Sequence, residues 1–247
     1  MRGLWKLTLT EALLYLREPV ATFFTIFYAP LVLLLFGSIY GNKPSELFGG
    51  RGTMDVTVPA YIGLIVVTVS LMGLPIATVS NRELGVLRRY RATPLRPVTY
   101  LTAQVLVYSA MTLLGVLLLF LTGKLVYQIR FEGSFLSVLA GLILSTLSFL
   151  SLGFLVASLS PTPRLAQMVG MILAFGMMFL SGATFPLEIM PERVRQVSNF
   201  LPLTHVVKLM RGLWAGQSWG GLWVHGVVLG GLLVACVAVS AVAFRWE

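Results

Sequence analysis

Long apolar stretches alternate with short polar connections along the whole chain. Six of these stretches contain no Asp, Glu, Lys or Arg. A helix needs about 20 apolar residues to cross the hydrocarbon core of a bilayer, and each stretch is long enough. The pattern predicts six transmembrane helices at roughly 21–40, 58–80, 100–122, 135–158, 165–180 and 222–244. We therefore expect an all-α, multi-pass membrane protein with a single transmembrane domain over residues 1–247.

Residues 2–18, which precede the first predicted span, have a different pattern. Placed on a helix, they give an apolar and a polar stripe: Trp5, Leu9, Ala12 and Leu16 against Lys6, Thr10 and Arg17. A helix with this division lies in the membrane interface rather than across the bilayer. Pro19 is expected to end it, because proline breaks the helical hydrogen-bond pattern. A simple cytoplasmic extension of span 1 is the alternative.

The composition agrees with a membrane protein and adds information on orientation. Hydrophobic residues make up 57% of the chain and charged residues 11%, against about 25% charged residues in a soluble domain. The net charge is +9. Because the basic residues flank the predicted spans, they indicate lipid headgroups as partners rather than nucleic acid. Five arginines lie between residues 82 and 96, and the preference of basic residues for short cytoplasmic loops predicts that this loop and both termini are cytoplasmic.

The predicted spans lack the chemistry of several functional classes. None contains a charged side chain, whereas ion-driven carriers usually have ionisable groups within the membrane. Carbonyl groups can also hold sodium, so a secondary (ion-coupled) transporter or a channel is the alternative function. The chain has no GxxxxGK[ST] phosphate loop, and two histidines, His205 and His225, leave an intramembrane enzyme with little support. We expect a non-enzymatic translocating protein, without a cofactor of its own, that takes its energy from outside the bilayer.

The polar segment between spans 2 and 3, "NRELGVLRRYRATP", predicts a short cytoplasmic helix at residues 82–94. Asn81 is a plausible N-cap, and Glu83 would then lie in the first turn, where the helix dipole favours an acid. Pro94 disfavours helix at the residue before it and ends the segment. Both faces mix apolar and basic residues, which suits a protein partner better than a lipid surface. Alternatively, the arginines only set the orientation of the chain.

Two stretches and the order of the elements are similar to a known family. One stretch is "ELGVLRRYRATPLRP", with Glu, Gly, a basic leucine-rich helix and "ATPL"; the other is "SGATFPLEIMPERVRQVSNFLPLTHVVKLMRGL", after span 5. Together with an interfacial helix before six spans, they resemble the permease subunits of ABC-2-type exporters, especially those related to the daunorubicin-resistance permease. The resemblance covers nearly the whole chain.

The resemblance implies that the loop between spans 2 and 3 is a coupling helix that docks onto a separate ATPase subunit. By this match the coupling residues are Glu83, Leu84, Gly85, Leu87, Arg88, Arg89, Arg91 and Pro94. ATP and magnesium would then bind to the ATPase and not to this chain. Two ATPase subunits and a second permease copy, or a close homologue, would complete an exporter in the inner membrane of a prokaryotic cell.

The resemblance also implies a re-entrant outer helical hairpin in the segment 183–220, between spans 5 and 6. Two of its prolines stand where two short helices would start, which is a favoured position for proline. A plain outer loop is the alternative. The residues predicted to shape this segment are Pro186, Pro191, Pro202, His205 and Arg211.

By the same resemblance, spans 2 and 5 would supply the walls of a substrate path. The residues predicted for it are Thr68, Met72, Met171, Phe175 and Phe179. An apolar path without fixed charge suits an amphiphilic, lipid-like or drug-like cargo.

Overall fold

The structure is a computed structural model that describes residues 2–44, 50–86 and 97–243. Within these ranges the helices are α1 (Arg2–Arg17), α2 (Pro19–Tyr40), α3 (Thr53–Glu83), α4 (Pro97–Tyr127), α5 (Phe135–Leu159), α6 (Pro163–Leu180), α7 (Glu192–Ser198), α8 (Pro202–Trp214) and α9 (Trp219–Ala243). A 3-10 turn, Leu187–Ile189, lies between α6 and α7. Short π-helical segments interrupt α2 at Phe23–Phe27 and α3 at Thr68–Gly73.

Six of these helices, α2 to α6 and α9, are long and apolar enough to cross a membrane. The prediction of six spans in an all-helical fold is therefore confirmed, and the described residues form no β-sheet. The helices α3 and α4 extend beyond the predicted 58–80 and 100–122 at both ends. This difference arises because the apolar pattern stops at the edge of the hydrocarbon, whereas a helix continues until its backbone bonding is interrupted.

Helix α3 lies at the centre of the bundle, in contact with α4, α5, α6 and α8. Of its most apolar 18-residue stretch, 78% is buried within the protein. Two neighbouring helices approach its π-helical segment so closely that only glycine fits. A Cβ atom added at Gly153 of α5 would lie 2.2 Å from the carbonyl oxygen of Ser70, and one at Gly170 of α6 would lie 2.1 Å from that of Leu71. The centre of the fold is thus defined by backbone contacts with α3.

The N-terminal helix α1 packs along the N-terminal half of α4. The rings of Tyr15 and Tyr108 meet edge to face, with their centroids 5.2 Å apart. The predicted apolar stripe points away from this contact, since Trp5 and Leu9 are exposed. Such outward apolar side chains suit the acyl boundary of a bilayer. Pro19 begins α2 directly after α1 has ended, as the sequence predicted.

The connection between α6 and α9 turns back along the N-terminal half of α3, and this side of the bundle is called outer after the predicted topology. Pro191 caps α7 and Pro202 is the first residue of α8, so the prediction that these prolines start two helices is confirmed. Leu203 and Val207 of α8 lie beside Gly63, within 3.3 Å of a Cβ atom placed there. Ten residues separate Gly63 from the outer start of α3, which corresponds to about 15 Å along the helix axis. Helix α8 therefore begins well below the outer end of α3.

Candidate functional site

The C-terminal end of α3, called its inner end after the predicted topology, differs from the prediction made for it. Helix α3 continues through Glu83, so Asn81 lies inside its final turns and the prediction that Asn81 is an N-cap is wrong. Glu83 correspondingly occupies the last turn of this helix and not the first turn of a new one. The helix ends because Gly85 adopts a left-handed conformation with φ of 69°, which is a common helix stop. No residue between Ser80 and Leu84 would have broken it earlier.

The predicted coupling residues fall partly within the described ranges. Glu83 and Leu84 are exposed, the latter by 71%, and no atom of the described residues lies within 4 Å of a Cβ atom placed on Gly85. The other five predicted coupling residues lie outside the described residues: Leu87, Arg88, Arg89, Arg91 and Pro94. The end of α3 thus presents an apolar side chain and a carboxylate on an open surface.

Directly behind this open surface, a chain of side-chain hydrogen bonds joins three helices. The Asn81 amide of α3 donates to the Tyr100 hydroxyl of α4 at 3.1 Å. The Gln104 amide donates to the same hydroxyl at 3.1 Å and to the Glu11 carboxylate of α1 at 2.9 Å. In addition, the Arg82 guanidinium donates to the Ser160 carbonyl in the link between α5 and α6. The inner end of α3 is therefore bonded directly to α4 and to that link, and through Gln104 of α4 it is connected to α1.

Sequence reasoning missed this chain, because its members lie on different helices and share no spacing. Glu11 is the acidic member, and burial raises the pKa of its carboxyl group above the usual value, against a smaller opposing effect of the Gln104 hydrogen bond. Gln104 itself is 2% exposed. A polar side chain in the middle of an apolar helix, such as Gln104, was the one signal available in the sequence.

The predicted substrate-path residues lie in two different environments. Thr68 is buried inside the protomer, and its hydroxyl donates to the backbone carbonyls of its own helix. Met72 is half-buried against the core. By contrast, Met171, Phe175 and Phe179 are spaced four residues apart on α6 and form an exposed stripe on one face. A single protomer therefore has an apolar face on α6, while Thr68 points into its interior.

The outer face carries most of the charges that the structure describes. The Arg211 guanidinium of α8 contacts the Glu188 carboxylate at 3.1 Å, and Arg51 contacts Glu132 at the same distance. Burial lowers the pKa of Arg211, and Glu188 opposes this effect. Pro186 directly precedes the 3-10 turn that holds Glu188. The ion pair of Arg211 thus joins α8 to the 3-10 turn, and Arg211 is one of the residues predicted for this segment.

The two histidines, which are far apart in sequence, meet on the outer face. His205 of α8 and His225 of α9 have their Nδ1 atoms 2.9 Å apart. The Nε2 atom of His205 lies 3.0 Å from the Asn199 carbonyl, so it must donate a proton there. Neutral His205 therefore accepts at Nδ1, and His225 donates to it. Burial lowers the pKa of His205, and the positive charge of Lys208 lowers it further, against the opposing effect of the Asn199 hydrogen bond.

Comparison with known proteins identifies the family of the chain. The sequence matches the ABC-2 type transporter family over residues 2–214, which is most of the chain. The chain belongs to the ABC-2 type transporter family. Membrane subunits of this family are non-catalytic translocators, so the prediction that this chain is not an enzyme is confirmed. The finer likeness to daunorubicin-resistance permeases stays a prediction.

Curated relatives of this ABC-2 permease include transport proteins of several bacteria. Nodulation protein J of Rhizobium leguminosarum bv. viciae is 34% identical over 99 residues, which are 40% of this chain and 38% of that protein. The putative transport permease YvfS of Bacillus subtilis is 30% identical over 157 residues, 62% and 60% of the two chains. The inner membrane transport permease YhhJ of Escherichia coli is 25% identical over 196 residues, 76% and 52%.

The matched regions cover between 38% and 60% of these relatives' own lengths. The family and the multi-pass membrane architecture follow from the comparison. The cargo, the partners and the energy source of this ABC-2 permease do not follow from it.

Proposed function

We propose that this permease is the membrane-spanning subunit of an ATP-driven exporter, and that the inner end of α3 couples it to a separate ATPase. One observation carries the proposal: α3 is buried along most of its length yet ends in the exposed Glu83 and Leu84. A displacement applied to that end would pass along a continuous helix into the centre of the bundle. Residues 82–94 are accordingly the proposed coupling segment.

The hydrogen-bond chain behind the coupling segment supports the same role. A movement of Asn81 would pull on Tyr100 and Gln104 of α4 and, through Gln104, on Glu11 of α1. The three helices would then move as one unit at the cytoplasmic side. The bonds are between neutral groups or have a single charged partner, so they can be remade after a small shift without separating an ion pair.

The absence of charge from the predicted spans supports an external energy source. No Asp, Glu, Lys or Arg lies in those six stretches, although ion-driven pumps usually depend on such groups. In the proposed exporter, two ATPase subunits bind ATP and magnesium on the cytoplasmic side. Closure of the ATPases is transmitted through the coupling segment.

A second copy of the chain, or a close homologue, is proposed to complete the pathway. The stripe of Met171, Phe175 and Phe179 on α6 is exposed in a single protomer, and two such stripes facing each other would give an apolar passage. Motion of α3, which contains Thr68 and Met72, would change the width of this passage because α6 packs on α3. An apolar passage without fixed charge suits an amphiphilic, lipid-like or drug-like cargo.

The outer connection is proposed to be a re-entrant hairpin. Helix α8 starts beside Gly63, about 15 Å along α3 from its outer end, and rises to the outer face. Most of its residues are buried against α3, α5 and α9. A plain surface loop would have fewer buried residues than this helix. Spin labels at the exposed positions Val197 and Phe200 test the depth through their accessibility to lipid-phase and water-phase quenchers, and full water exposure of both would favour a plain loop.

The proposed location is the inner membrane of a prokaryotic cell, with both termini in the cytoplasm. Single cysteines at Leu84 and at Glu132, in a Cys236→Ala background, distinguish the two sides in intact cells. We expect a membrane-impermeant maleimide to label the Glu132→Cys variant and to leave Leu84→Cys unlabelled. Labelling of Leu84→Cys from outside would overturn the orientation and the coupling segment with it.

Reconstitution tests the proposed function as a whole. The permease is purified together with its associated ABC ATPase, placed in proteoliposomes and supplied with a fluorescent amphiphile. We expect transport that requires ATP and that survives ionophores which collapse ion gradients. Gradient-driven transport without the ATPase would instead establish an ion-coupled carrier.

A matched pair of variants tests the coupling residue in the same system. Glu83→Gln removes a charge at the proposed contact and keeps the side-chain volume. We expect the ATPase to stay bound while ATP hydrolysis and transport lose their fixed ratio. Glu192→Gln changes an equally exposed acid on the outer helix α7 and should leave that ratio unchanged. Equal behaviour of the two variants would remove Glu83 from the mechanism.

A further inference from the structure

A groove on the outer face is lined by an excess of basic residues. Its volume is about 520 Å³, and it lies between the 3-10 turn Leu187–Ile189, α8 and the first turns of α9. The charged residues that line it are Arg51, Glu188, Arg195, Lys208 and Arg211, with His225 among the remaining lining residues. Four permanent cations thus face one acid.

Ion pairing neutralises only two of these cations. Arg211 pairs with Glu188, and Arg51 pairs with Glu132. Lys208 and Arg195 bond only to uncharged oxygens in the described part of the chain. The Lys208 ammonium donates to the Asn199 side-chain carbonyl at 2.7 Å, and Arg195 donates to the Met190 carbonyl at 3.4 Å. Two positive charges in the groove therefore have no acidic partner within residues 2–44, 50–86 and 97–243.

Arg211, which lines the groove, has an unused hydrogen-bond donor beside it. The Nε atom of Arg211 is buried, and it has no partner among the described residues. A ligand acceptor would reach this atom only after the side chain had rotated, so the ligand contacts of the groove fall to Lys208 and Arg195.

The cations of the groove differ in their exposure. The Arg211 side chain is 16% exposed, whereas Lys208 is half-buried and Arg195 is exposed. The groove therefore extends from a shielded cation, which is already paired with Glu188, to two cations that a ligand can reach from outside.

We propose that this groove binds a phosphate group, held by Lys208 and Arg195. Arginine and lysine together present more donors than the two oxygens of a carboxylate can accept, whereas a phosphate group offers additional acceptor oxygens. The phosphate can belong to an anionic lipid headgroup or to a water-soluble molecule. Binding does not rest on ATP-driven export, although the position of the groove on the outer side rests on the proposed topology.

The experiment measures binding to the purified permease without its ATPase. Native mass spectrometry follows phosphatidylglycerol and, as a phosphate-free counterpart, diacylglycerol; calorimetry follows inorganic phosphate. The variant Arg195→Gln/Lys208→Gln removes the two unneutralised cations. The control Lys43→Gln/Arg193→Gln removes the same charge from exposed residues of the outer segments that do not line the groove.

We expect the groove variant to bind phosphatidylglycerol, inorganic phosphate or both at least about tenfold more weakly than the control, because it lacks the two cations that have no acidic partner. Loss of the lipid alone identifies a headgroup site, and loss of inorganic phosphate identifies a site for soluble phosphate compounds. If both probes bind the two variants equally, or if diacylglycerol binds parent as tightly as phosphatidylglycerol, the proposal is wrong. The single variant Arg195→Gln, at an exposed position, serves if the double variant unfolds. Transport is not measured, so failure of export leaves this result unaffected.

Discussion

Helices α3 and α9 have similar apolar composition but opposite environments. Of the most apolar 18-residue stretch, 78% is buried in α3 and 11% in α9. Helix α3 contacts α2, α4, α5, α6 and α8. Helix α9, by contrast, packs mainly on α5 and α8, and several of its valine side chains are exposed. The difference shows that hydrophobicity selects a span but does not select its position in the bundle. Its position is determined instead by close backbone contacts between helices and by polar bonds. Both are concentrated at α3.

The largest expected effect comes from filling the space at the backbone contact with α3. Gly170→Ala would place a Cβ atom 2.1 Å from the Leu71 carbonyl oxygen, so α6 or α3 must move. Overpacking of this kind typically costs about 1–3 kcal/mol, occasionally more. We expect Gly170→Ala to reduce the yield of folded protein and to lower its melting temperature in detergent.

Two glycines provide controls for this prediction. Gly176 lies on the same helix α6, and Gly230 lies on α9; neither has an atom within 4 Å of an added Cβ. Gly176→Ala and Gly230→Ala should therefore fold as well as the parent or slightly better, since alanine favours helix by up to about 1 kcal/mol. If Gly230→Ala destabilises the protein as much as Gly170→Ala does, the difference in packing between α3 and α9 is contradicted.

The next effect concerns the polar bonds at the inner end of α3. Gln104→Leu removes the donor to both Tyr100 and Glu11 and leaves a partly buried carboxyl group without that bond. A loss of about 1–3 kcal/mol is expected, because hydrogen bonds to charged groups are the stronger ones. Gln167→Leu, at an exposed position on α6, is the matched control. The free energy of unfolding of both variants is measured by denaturation in mixed micelles. Equal stability would show that the chain of hydrogen bonds does not contribute to it.

The histidine pair makes the contact between α8 and α9 sensitive to pH. The folded pKa of His205 lies below its unfolded value of about 6.5, so the unfolded chain binds the proton more readily. Stability is therefore full above that unfolded pKa and declines as the pH falls below it. We expect melting temperatures to fall more between pH 7.5 and 5 in the parent than in His205→Gln. Parallel decreases in both proteins would contradict this assignment.

The smallest effect is expected on α9, which accepts a hydrogen bond from Ser148 of α5. The Ser148 hydroxyl lies 2.8 Å from the Leu229 carbonyl and 2.7 Å from the Leu144 carbonyl of its own helix. Interhelical bonds in membranes contribute about 0.6 kcal/mol on average. Ser148→Ala should therefore cost less than Gln104→Leu in the same denaturation assay. A larger loss would mean that α9 is held more firmly than its exposure indicates.

The sequence predicted the features that depend on local physics. Six charge-free stretches predicted six spans. The two helices that start at Pro191 and Pro202 were implied by the family resemblance, which the preference of proline for the first turn supported. It did not predict that α3 is central, since the spans look alike by composition. The N-cap assignment of Asn81 failed because the end of a helix depends on the next breaker, and Gly85 comes four residues later. The contact of His205 with His225 depends on tertiary packing.

The central claim is that the inner end of α3 docks onto an ATPase through apolar side chains. Leu84 is 71% exposed, and burial of a leucine contributes about 1.5–3 kcal/mol. The most direct test measures binding of the purified ATPase to the permease in nanodiscs. The double variant Leu84→Ala/Leu87→Ala is compared with Arg96→Gln, which removes a charge that follows Pro94 in the sequence. Leu87 and Arg96 lie outside the described residues and are chosen from the sequence prediction alone.

We predict that the double leucine variant binds the ATPase at least about tenfold more weakly than the parent, at about 1.4 kcal/mol per decade. Arg96→Gln should bind like the parent, because a charge that meets only lipid headgroups contributes about 1 kcal/mol to membrane attachment and nothing to this contact. If the leucine variant binds like the parent while Arg96→Gln abolishes binding, the segment is an electrostatic anchor and the coupling role proposed for the end of α3 is contradicted.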